Sequence, residues 1–470
     1  MKNRPTRIQF QIKLDDMVRV LSGDIEREVL KPGDYLPAES ELGEKFGLSR
    51  NSVRKGLDLL VAEGLIEKVP KVGSRVKLAA EEEPPKRESE SERVLHVGYY
   101  SSLDRQAGFD RLLEEYQCQN PQVRIQPVYL PYDHYFDTLE RYQQNGLLDV
   151  FTMNMNHFLE VPGRETGWMK PLEPGGKESV LREAFVRGED RLLQPFVYSP
   201  VVLCFNREHF AEAGVPEPDG DWTWLDLFQT ASRLSDPDKQ RYGLYFNPLS
   251  DNRWPVFLLQ TIGGSPDGAE DAEGKARLEK LLTLLRDLMD DQTVFPGAAA
   301  DSEKDEESLF LRGKVSMILT TYYSLNAFKQ APFSYDLAPL PQDARPATLV
   351  LPIGLGVNRQ SPVHEEAEDL VSFLLSAGIQ ARIRRTSLTI PGREPAAESD
   401  WPGEEGKRPS RYYLYREIVS HFRLHTHLGL SAEGMERVRR ELPFFLAHLE
   451  DASQIYRVWK EARRQTISLS

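Results

Sequence analysis

The feature that most constrains this chain is an acidic stretch at residues 79–93, AAEEEPPKRESESER. It holds six Glu and two Pro and has no large apolar side chain. Such a segment cannot bury enough apolar surface to offset the entropy of ordering it, and its like charges repel one another. The sequence therefore predicts an acidic flexible linker at 79–93 that separates a head, residues 1–78, from a body, residues 94–470.

The length of the body predicts more than one core. The whole chain has 470 residues, which exceeds what a single hydrophobic core usually organises. We expect two α/β lobes in the body, the first starting with residues 94–199 and the second starting at about residue 200. Hydrophobic residues make up 40% of the chain and charged residues 28%, as in ordinary soluble proteins.

The head and the body differ in charge. Residues 1–78 contain 15 Lys and Arg against 12 Asp and Glu, whereas the rest of the chain contains 44 against 61. A polyanionic partner would therefore meet the head rather than the body. We find no run that could serve as a signal peptide or a membrane span, so we expect a cytoplasmic protein with no membrane partner.

The segment LPAESELGEKFGLSRNSVRK, residues 36–55, predicts two short helices joined by a turn. The first helix ends at Gly47, and Ser49 is suited to cap the second. The second helix buries the residues at i, i+4 and i+7, which are Val53, Leu57 and Leu60. This arrangement is a helix-turn-helix, whose second helix enters the major groove of DNA.

Polar and basic residues face outward from this second helix. Arg50 and Arg54 lie one turn apart on its flank, with Asn51 and Lys55 further round. Arginines at such positions bind guanine edges or phosphates. The sequence therefore predicts a DNA-binding surface here.

The next segment, LIEKVPKVGSRVKL at residues 65–78, predicts a wing beside the helices. Its residues alternate about a Pro-Lys-Val-Gly turn, which is typical of a β-hairpin. Lys71 and Arg75 are expected at the tip. The head is therefore predicted to be a mostly α-helical winged helix-turn-helix.

In order and spacing the head resembles the winged-helix domain of the GntR family of bacterial transcription regulators. The motifs that carry the resemblance are LPAESEL, GLSR, VR, EGLI and the glycine of the hairpin. The resemblance implies a homodimer on a palindromic operator, with Arg50, Asn51 and Arg54 on bases or phosphates and Gly73 near the minor groove. Ser40 stands where many relatives carry an arginine that contacts DNA, so that contact is expected to be absent or weaker. The DNA-binding candidates are Ser49, Arg50, Asn51, Arg54, Lys55, Lys71, Gly73 and Arg75.

The body alternates strands with helices. The helix after the strand VLHVGYY has one apolar face, formed by Phe109, Leu112, Leu113 and Tyr116. A later helix has a leucine face, formed by Leu278, Leu281, Leu282, Leu285 and Leu288. Further apolar strands are predicted at 315–320 and 349–355. Strands that alternate with helices favour a parallel sheet with helices on its faces.

The body also resembles the extracellular solute-binding proteins of sugar transporters, of the maltodextrin-binding type. The motifs that carry the resemblance, in the family's order, are GWMKPLEP, VLCFNREHFAEAGVPEP, TWLDLFQTASRLS, WPVFLLQTIGG and LFLRGKVSMILTTYYSLNAF. The resemblance implies a two-lobed periplasmic-binding-protein-like fold that binds a sugar or oligosaccharide between its lobes. It departs after about residue 390, where GREPAAESDWPGEEGKRPS is expected to be an atypical loop.

Ligand-binding candidates come from two sources. Strand ends of open α/β sheets line ligand clefts, which points to Tyr100, Ser101, Asn154 and Asn156. By resemblance, the aromatic residues of the cleft are Trp254, which starts a helix, and Tyr322 and Tyr323, which replace a stacking turn.

No motif indicates catalysis, a metal or a cofactor. We find no G-x-G-x-x-G, P-loop, H-E-x-x-H or G-x-S-x-G pattern and no convincing pyridoxal lysine site. His421, His425 and His427 lack an acidic partner at metal-binding spacing. We expect no catalytic residue, no metal ligand and no cofactor. Cys118 and Cys204 lack C-x-x-C spacing and are predicted to be buried, reduced thiols.

Together, head and body predict a ligand-responsive bacterial transcriptional regulator. Closure of the two lobes on a sugar would change the affinity of the head for DNA. Two alternatives stay open at this stage. The first is a cytoplasmic enzyme acting on the bound carbohydrate, which a turnover assay would detect. The second is a transport solute receptor, against which the head and the missing signal peptide argue.

Overall fold

The computed structural model contains two compact units, Met1–Ser89 and Glu90–Ser470. In the first unit the described residues are 17, 20–21, 25, 30–31, 33–48, 53–54, 56–57, 60–61, 66–69 and 73–76. In the second unit they are 93–132, 134–161, 167–172, 181–262, 272–296, 303–342, 345–398 and 408–469. No helix within these ranges is long and apolar enough to cross a membrane.

The first unit is built on one small core that the helices share. Helix α1 (Glu39–Phe46) ends at Gly47 with a left-handed φ of 64° that glycine adopts without strain. The core residues are Met17, Leu21, Leu36, Leu42, Leu48, Val53, Leu57, Leu60, Ile66 and Val76. The predicted buried face at Val53, Leu57 and Leu60 is therefore confirmed.

A short antiparallel hairpin completes the first unit. It pairs β1 (Ile66–Val69) with β2 (Gly73–Val76), and residues 70–72 between them lie outside the described part. Segment 33–36 lies against β2, because Leu36 N–H donates to the Ser74 carbonyl at 2.9 Å and Val76 N–H donates to Asp34 at 2.8 Å. The unit is thus a helix-turn-helix with a wing.

The second unit contains one large sheet. Its strands are β3 (Arg93–Tyr100), β4 (Val123–Leu130), β5 (Val150–Asn154), β8 (Gln194–Asn206), β9 (Tyr242–Tyr245), β10 (Val315–Thr321), β11 (Tyr335–Ala338), β12 (Thr348–Val357), β13 (Ile390–Pro391) and β14 (Phe422–Arg423). A separate hairpin pairs β6 (Val186–Arg187) with β7 (Asp190–Arg191).

Helices flank this sheet. They are α2 (Ser102–Ala107), α3 (Phe109–Gln119), α4 (Tyr135–Gln144), α5 (Met155–Glu160), α6 (Arg207–Ala213), α7 (Trp224–Leu234), α8 (Pro255–Thr261), α9 (Ala272–Asp290), α10 (Glu303–Leu311), α11 (Leu325–Phe328), α12 (His364–Leu374), α13 (Ala377–Thr386), α14 (Glu394–Glu398), α15 (Leu414–Glu417), α16 (Ala432–Leu446) and α17 (Ala452–Leu469). The predicted apolar faces of α3 and α9 are buried, as expected.

The sheet is mixed, which corrects the predicted parallel sheet. Its main path runs β4-β3-β5-β12-β8-β10-β9. β3 is parallel to β4 and β5, and β9 is parallel to β10, whereas β8 and β12 run antiparallel to their main-path neighbours. The alternating βα pattern holds at the two ends of the sheet, but the central strands join without it.

β8 carries the chain from one lobe into the other. Residues from Gln194 to Pro200 pair with β12, and residues from Val201 to Phe205 pair with β10. Lobe one contains β3, β4 and β5, with β12 and the start of β8 beside them. Lobe two contains β9, β10, β11 and the end of β8. A single 13-residue strand is therefore shared by both lobes.

Three sequence expectations need correction here. Cys118 is exposed while Cys204 is buried, because Cys118 lies on the outer face of α3. Arg93, placed in the linker, is the first residue of β3 and pairs with Val123 of β4. The stretch expected as a loop, 392–410, includes α14, because Ala396 and Ala397 pack into the core. The remainder of the linker and residues 399–407 lie outside the described part.

Candidate nucleic-acid interface and ligand site

Arg54 is exposed on the predicted DNA-binding face of the first unit. Its side chain is 58% exposed, and its Nε lies 2.9 Å from each carboxylate oxygen of Glu39. Glu39 begins α1, so this ion pair ties the two helices of the motif together. Within the described part of the chain, the bonds to Glu39 use Nε, which leaves the two terminal nitrogens of the guanidinium to meet a phosphate or a base edge.

The wing places its two described candidates differently. Gly73 is exposed at the end of the hairpin, opposite Val69, with a φ of 145° that strongly favours glycine. Arg75 lies inside β2 and not at its start, because β2 begins two residues earlier at Gly73. Its Nε lies 2.9 Å from Glu67 on the opposite strand, and its guanidinium lies 6.0 Å from the ring of Tyr35. The expected position of Arg75 is therefore corrected.

The other predicted DNA-binding residues lie outside the described part of the chain. They are Ser49, Arg50, Asn51, Lys55 and Lys71. Their roles stay predictions.

In lobe one, two predicted residues meet at the ends of neighbouring strands. Tyr100 ends β3 and Asn154 ends β5, and the two strands are parallel neighbours. The Asn154 N–H donates to the Tyr100 hydroxyl at 3.0 Å. The Asn154 side chain accepts from the His157 N–H at 2.9 Å and so caps α5. Asn154 therefore has a structural role in this conformation.

Ser101 and Asn156 lie beside this pair. Ser101 is exposed at the start of α2, and Asn156 is half-buried in the first turn of α5. The Asn156 amide donates to Asn252 of lobe two at 3.4 Å. Asn156 is thus a contact between the lobes at the edge of the cleft.

His157 is a residue of this site that the sequence analysis missed. Its ring stacks on Tyr135 with centroids 4.3 Å apart, and its Nδ1 lies 2.8 Å from the Tyr100 hydroxyl. Burial lowers the pKa of His157 to about 4, so the ring is neutral near pH 7. The polar run Asn154-Met155-Asn156-His157 directly after an apolar strand was the available signal.

Trp254 precedes α8 but its indole ring has no open face. It is 2% exposed and lines a small apolar cavity with Phe257, Leu285 and Phe445, which belong to α8, α9 and α16. Its Nε1 donates to the Asp251 carboxylate at 2.9 Å. The predicted position at the helix start is correct, but the expected stacking face is covered by packing in this conformation.

Tyr322 and Tyr323 are also buried. The Tyr322 hydroxyl donates to the Tyr412 carbonyl at 2.9 Å and accepts from the Tyr415 N–H at 3.2 Å. The Tyr323 hydroxyl donates to the Leu351 carbonyl at 2.7 Å. These bonds hold both rings in the core behind the cleft, so neither offers a stacking face here, which corrects the expected geometry.

The three histidines of the C-terminal run do not converge. His425 is buried with Nε2 2.9 Å from the Asp251 carbonyl, and burial lowers its pKa to about 4. His427 accepts from the Leu424 N–H at 2.9 Å. Among the described residues, no group of three or more His, Cys, Asp or Glu is placed to hold a metal ion.

Two family profiles match the chain. The profile described as "Bacterial regulatory proteins, gntR family" matches residues 15–76. The profile described as "Bacterial extracellular solute-binding protein" matches residues 100–381, which is more than half of the chain.

Individual proteins resemble the chain in the same two regions. A binding protein of Brucella abortus is 22% identical over 214 residues, which are 44% of this chain and 52% of that protein. The chain thus spans about half the length of this relative. The uncharacterized HTH-type regulator YieP of Escherichia coli is 45% identical over 58 residues, which are 12% of this chain and 23% of YieP.

A solved structure matches the second unit over nearly its full length. It is the ABC substrate-binding protein Lmo0181 of Listeria monocytogenes in complex with cycloalternan. The match has a TM-score of 0.67 and 20% identity, and covers 80% of this chain and 99% of the other. At this level of identity the likeness shows a shared fold.

Proposed function

We propose that the chain is an effector-responsive transcriptional regulator, because it belongs to the bacterial extracellular solute-binding protein family and carries a GntR-type DNA-binding domain before the solute-binding region. The proposal rests on one observation, which is that a solute-binding domain and a DNA-binding domain occur in the same chain. A solute-binding domain joined to a DNA-binding domain gives the bound solute a means of acting on transcription.

The head binds operator DNA as a homodimer, with one recognition helix in each half-site. Arg54 is exposed and held by Glu39, which favours a defined direction for its guanidinium. Gly73 brings the backbone of the wing close to the minor groove. Arg75 supports the wing through Glu67. The remaining contacts come from Ser49, Arg50, Asn51, Lys55 and Lys71.

The effector is a sugar or oligosaccharide that binds between the two lobes. The likeness to a cycloalternan-bound protein and the polar strand ends of lobe one support this assignment. Ser101 and Asn156 offer hydroxyl and amide groups to sugar hydroxyls. Tyr100 and Asn154 shape that edge of the cleft. Trp254, Tyr322 and Tyr323, which the resemblance assigns to the cleft, are buried in this conformation and contact the sugar only if the lobes rearrange.

Closure of the lobes on the effector changes the affinity of the head for DNA, in the cytoplasm where DNA lies. An effector that touches both lobes binds the closed form better than the open form, and its influence on the head is limited by that difference. The predicted linker, shortened to residues 79–92 because Arg93 begins β3, joins the sensing unit to the head.

The DNA-binding half of the proposal is tested with Arg54→Ala. Duplexes selected from a random pool by the wild-type chain serve as the operator probe. A lost base contact costs about 1–3 kcal/mol of binding free energy, and a lost phosphate contact lowers the salt slope by about 1. Arg111→Ala, an exposed arginine on α3, is the matched control. Undiminished binding by Arg54→Ala would contradict the assignment of this helix as the recognition helix.

The sensing half is tested by thermal shift with a panel that includes cycloalternan and linear oligosaccharides. A bound sugar stabilises the second unit by mass action and raises its melting temperature. A panel with no stabilising sugar would count against a carbohydrate effector.

A further inference from the structure

The two lobes of the second unit meet through polar groups beside the cleft. In α2 of lobe one, the guanidinium of Arg105 lies 3.2 Å from Glu307 on α10 of lobe two. The next residue, Gln106, offers its backbone carbonyl to the side chain of Asn326 in lobe two at 3.3 Å. The same carbonyl accepts from Thr389 at 2.6 Å, and Thr389 leads into β13, which pairs with the lobe-one part of β8. The C-terminal half of α2 is therefore bonded directly to lobe two.

Asn326 is the centre of this contact. Its Nδ2 donates to the Gln106 carbonyl, to the Tyr323 carbonyl at 3.2 Å and to Thr389 Oγ1 at 3.0 Å. Its Oδ1 accepts from the Leu388 N–H at 2.9 Å. One amide thus joins a helix of lobe one, the segment that leads into β13, and a predicted effector residue.

We propose that α2 is a latch and that Asn326 is the positioning residue that receives it, so that together they hold the lobes closed before any effector binds. The proposal rests on the proposed function only for its regulatory consequence. The equilibrium between open and closed lobes is a property of the second unit itself.

A second contact lies elsewhere along the cleft and is tied to the first. Asn156 of lobe one bonds Asn252 of lobe two. Asn252 precedes Arg253, whose guanidinium forms an ion pair with Glu306 at 3.2 Å while both side chains are almost fully buried. Glu306 in turn precedes Glu307, the partner of Arg105. The buried pair therefore holds both lobe-two contact points in one rigid arrangement.

The contacts of the latch favour the closed lobes only modestly. The side-chain oxygen of Gln106 is buried and has no hydrogen-bond partner among the described residues. A buried polar atom without a partner disfavours the state that buries it. The closed form therefore carries a cost that offsets part of its hydrogen bonds, and modest changes at the latch shift the equilibrium.

The experiment measures the distance between the lobes in the full chain by pulsed electron spin resonance. Spin labels are attached through Glu140→Cys on α4 and Gln229→Cys on α7, which are exposed positions of lobe one and lobe two. Cys118→Ser first removes the exposed native thiol, and Cys204 is buried and stays unlabelled. Neither sugar nor DNA is added.

Asn326→Asp is expected to give the larger shift. It keeps Oδ1 as an acceptor but points a charged oxygen at the carbonyls of Gln106 and Tyr323, so the ratio of open to closed lobes rises about tenfold or more. Arg105→Glu places like charges opposite Glu307 and raises the ratio about two- to fivefold.

The charge swap Arg105→Glu with Glu307→Arg is expected to restore the wild-type distances. Arg111→Ala on α3 is the matched control and leaves them unchanged. If Arg105 acted only through its own packing, the charge swap would not restore closure. Lobes that stay open in the double variant would therefore overturn the latch.

Distances that stay at the wild-type value in both Asn326→Asp and Arg105→Glu would also overturn the proposal. If Asn326→Asp does not fold, the surface pair still decides the outcome, because Arg105 is half-exposed and tolerates substitution. Since no sugar or DNA is present, failure to bind either one would refute the proposed function without affecting this result.

Discussion

The two lobes place their predicted effector residues in different environments. In lobe one, Tyr100 is buried at the end of β3, but Ser101 beside it is exposed, and Asn156 in the first turn of α5 is half-buried and reaches the other lobe. In lobe two, Tyr322 and Trp254 are buried and bonded within the core. Position at a strand end follows from topology, whereas the aromatic character of a residue suits a ligand and a core equally well.

Strand-end position is therefore a stronger sequence signal for a ligand site than aromatic character. Parallel strands bring their carboxyl ends to one edge, so polar residues after them converge whatever their partners are. Topology does not place an aromatic residue that is assigned to the cleft only by resemblance. Neighbouring rings can cover its face, and a backbone carbonyl can bind its hydroxyl. Substitutions in both lobes test this contrast.

The largest expected effect is at Tyr322. Tyr322→Ala removes a fully buried ring, and the free energy of unfolding should fall by about 3–5 kcal/mol. Tyr322→Phe keeps the ring but leaves backbone groups of Tyr412 and Tyr415 without their partner, for a loss of about 1–3 kcal/mol. Urea denaturation followed by Trp fluorescence measures both, because all six Trp lie beyond residue 167. If Tyr322→Ala were as stable as wild type, the ring would be free for a ligand and the contrast would disappear.

The next effect is the pH dependence at His157. Its pKa is about 4 in the folded unit against an ordinary value of 6.5, so between these values the unfolded chain binds the extra proton. This contribution to stability is therefore complete above pH 6.5 and is lost as the pH falls towards 4, by up to about 3 kcal/mol.

His157→Gln should remove this part of the slope of stability against pH. Urea midpoints of the variant and the wild type across that window give the comparison. His425 and His209 also have pKa values of about 4, so some slope remains in the variant. A slope identical to that of the wild type would show that His157 is not buried as a neutral ring.

The smallest effects separate two neighbouring asparagines. Asn154→Ala removes the cap of α5 and should lower the free energy of unfolding by about 1 kcal/mol. Asn156→Ala loses only a long contact to Asn252, so its effect should stay below about 0.5 kcal/mol. Denaturation of the two variants side by side measures the difference. The reverse order would assign the structural role to Asn156.

The fold was predictable where periodicity was strong. The faces of α3 and α9 follow from apolar spacing, and both are buried. The mixed sheet was not predictable in this way, because a strand such as β8, buried along almost all its length, carries no sign of the direction of its neighbours. The local sequence pattern thus determines helices and strands, whereas strand pairing depends on contacts between residues that are far apart in the sequence.

The candidate site was predictable only in part, for a similar reason. Arg75 was expected at the wing tip because it follows the Pro-Lys-Val-Gly turn, yet Glu67 lies directly across the hairpin and pairs with it in the strand. Cys118 was expected to be buried because it lies in an apolar stretch without C-x-x-C spacing, yet its position in α3 faces outward. Residue type indicates what a side chain can do, while its partners are set by register and by the face of the helix.

In the proposed mechanism, an effector held between the lobes acts on DNA binding by the head. The most direct measurement is an operator titration of the full chain with and without the panel sugar that stabilises it most. We predict that the sugar changes operator affinity by about 5- to 150-fold in the wild type, and by less in Asn156→Ala. A sugar that binds the second unit but leaves operator affinity unchanged would refute the proposed coupling between the lobes and the head.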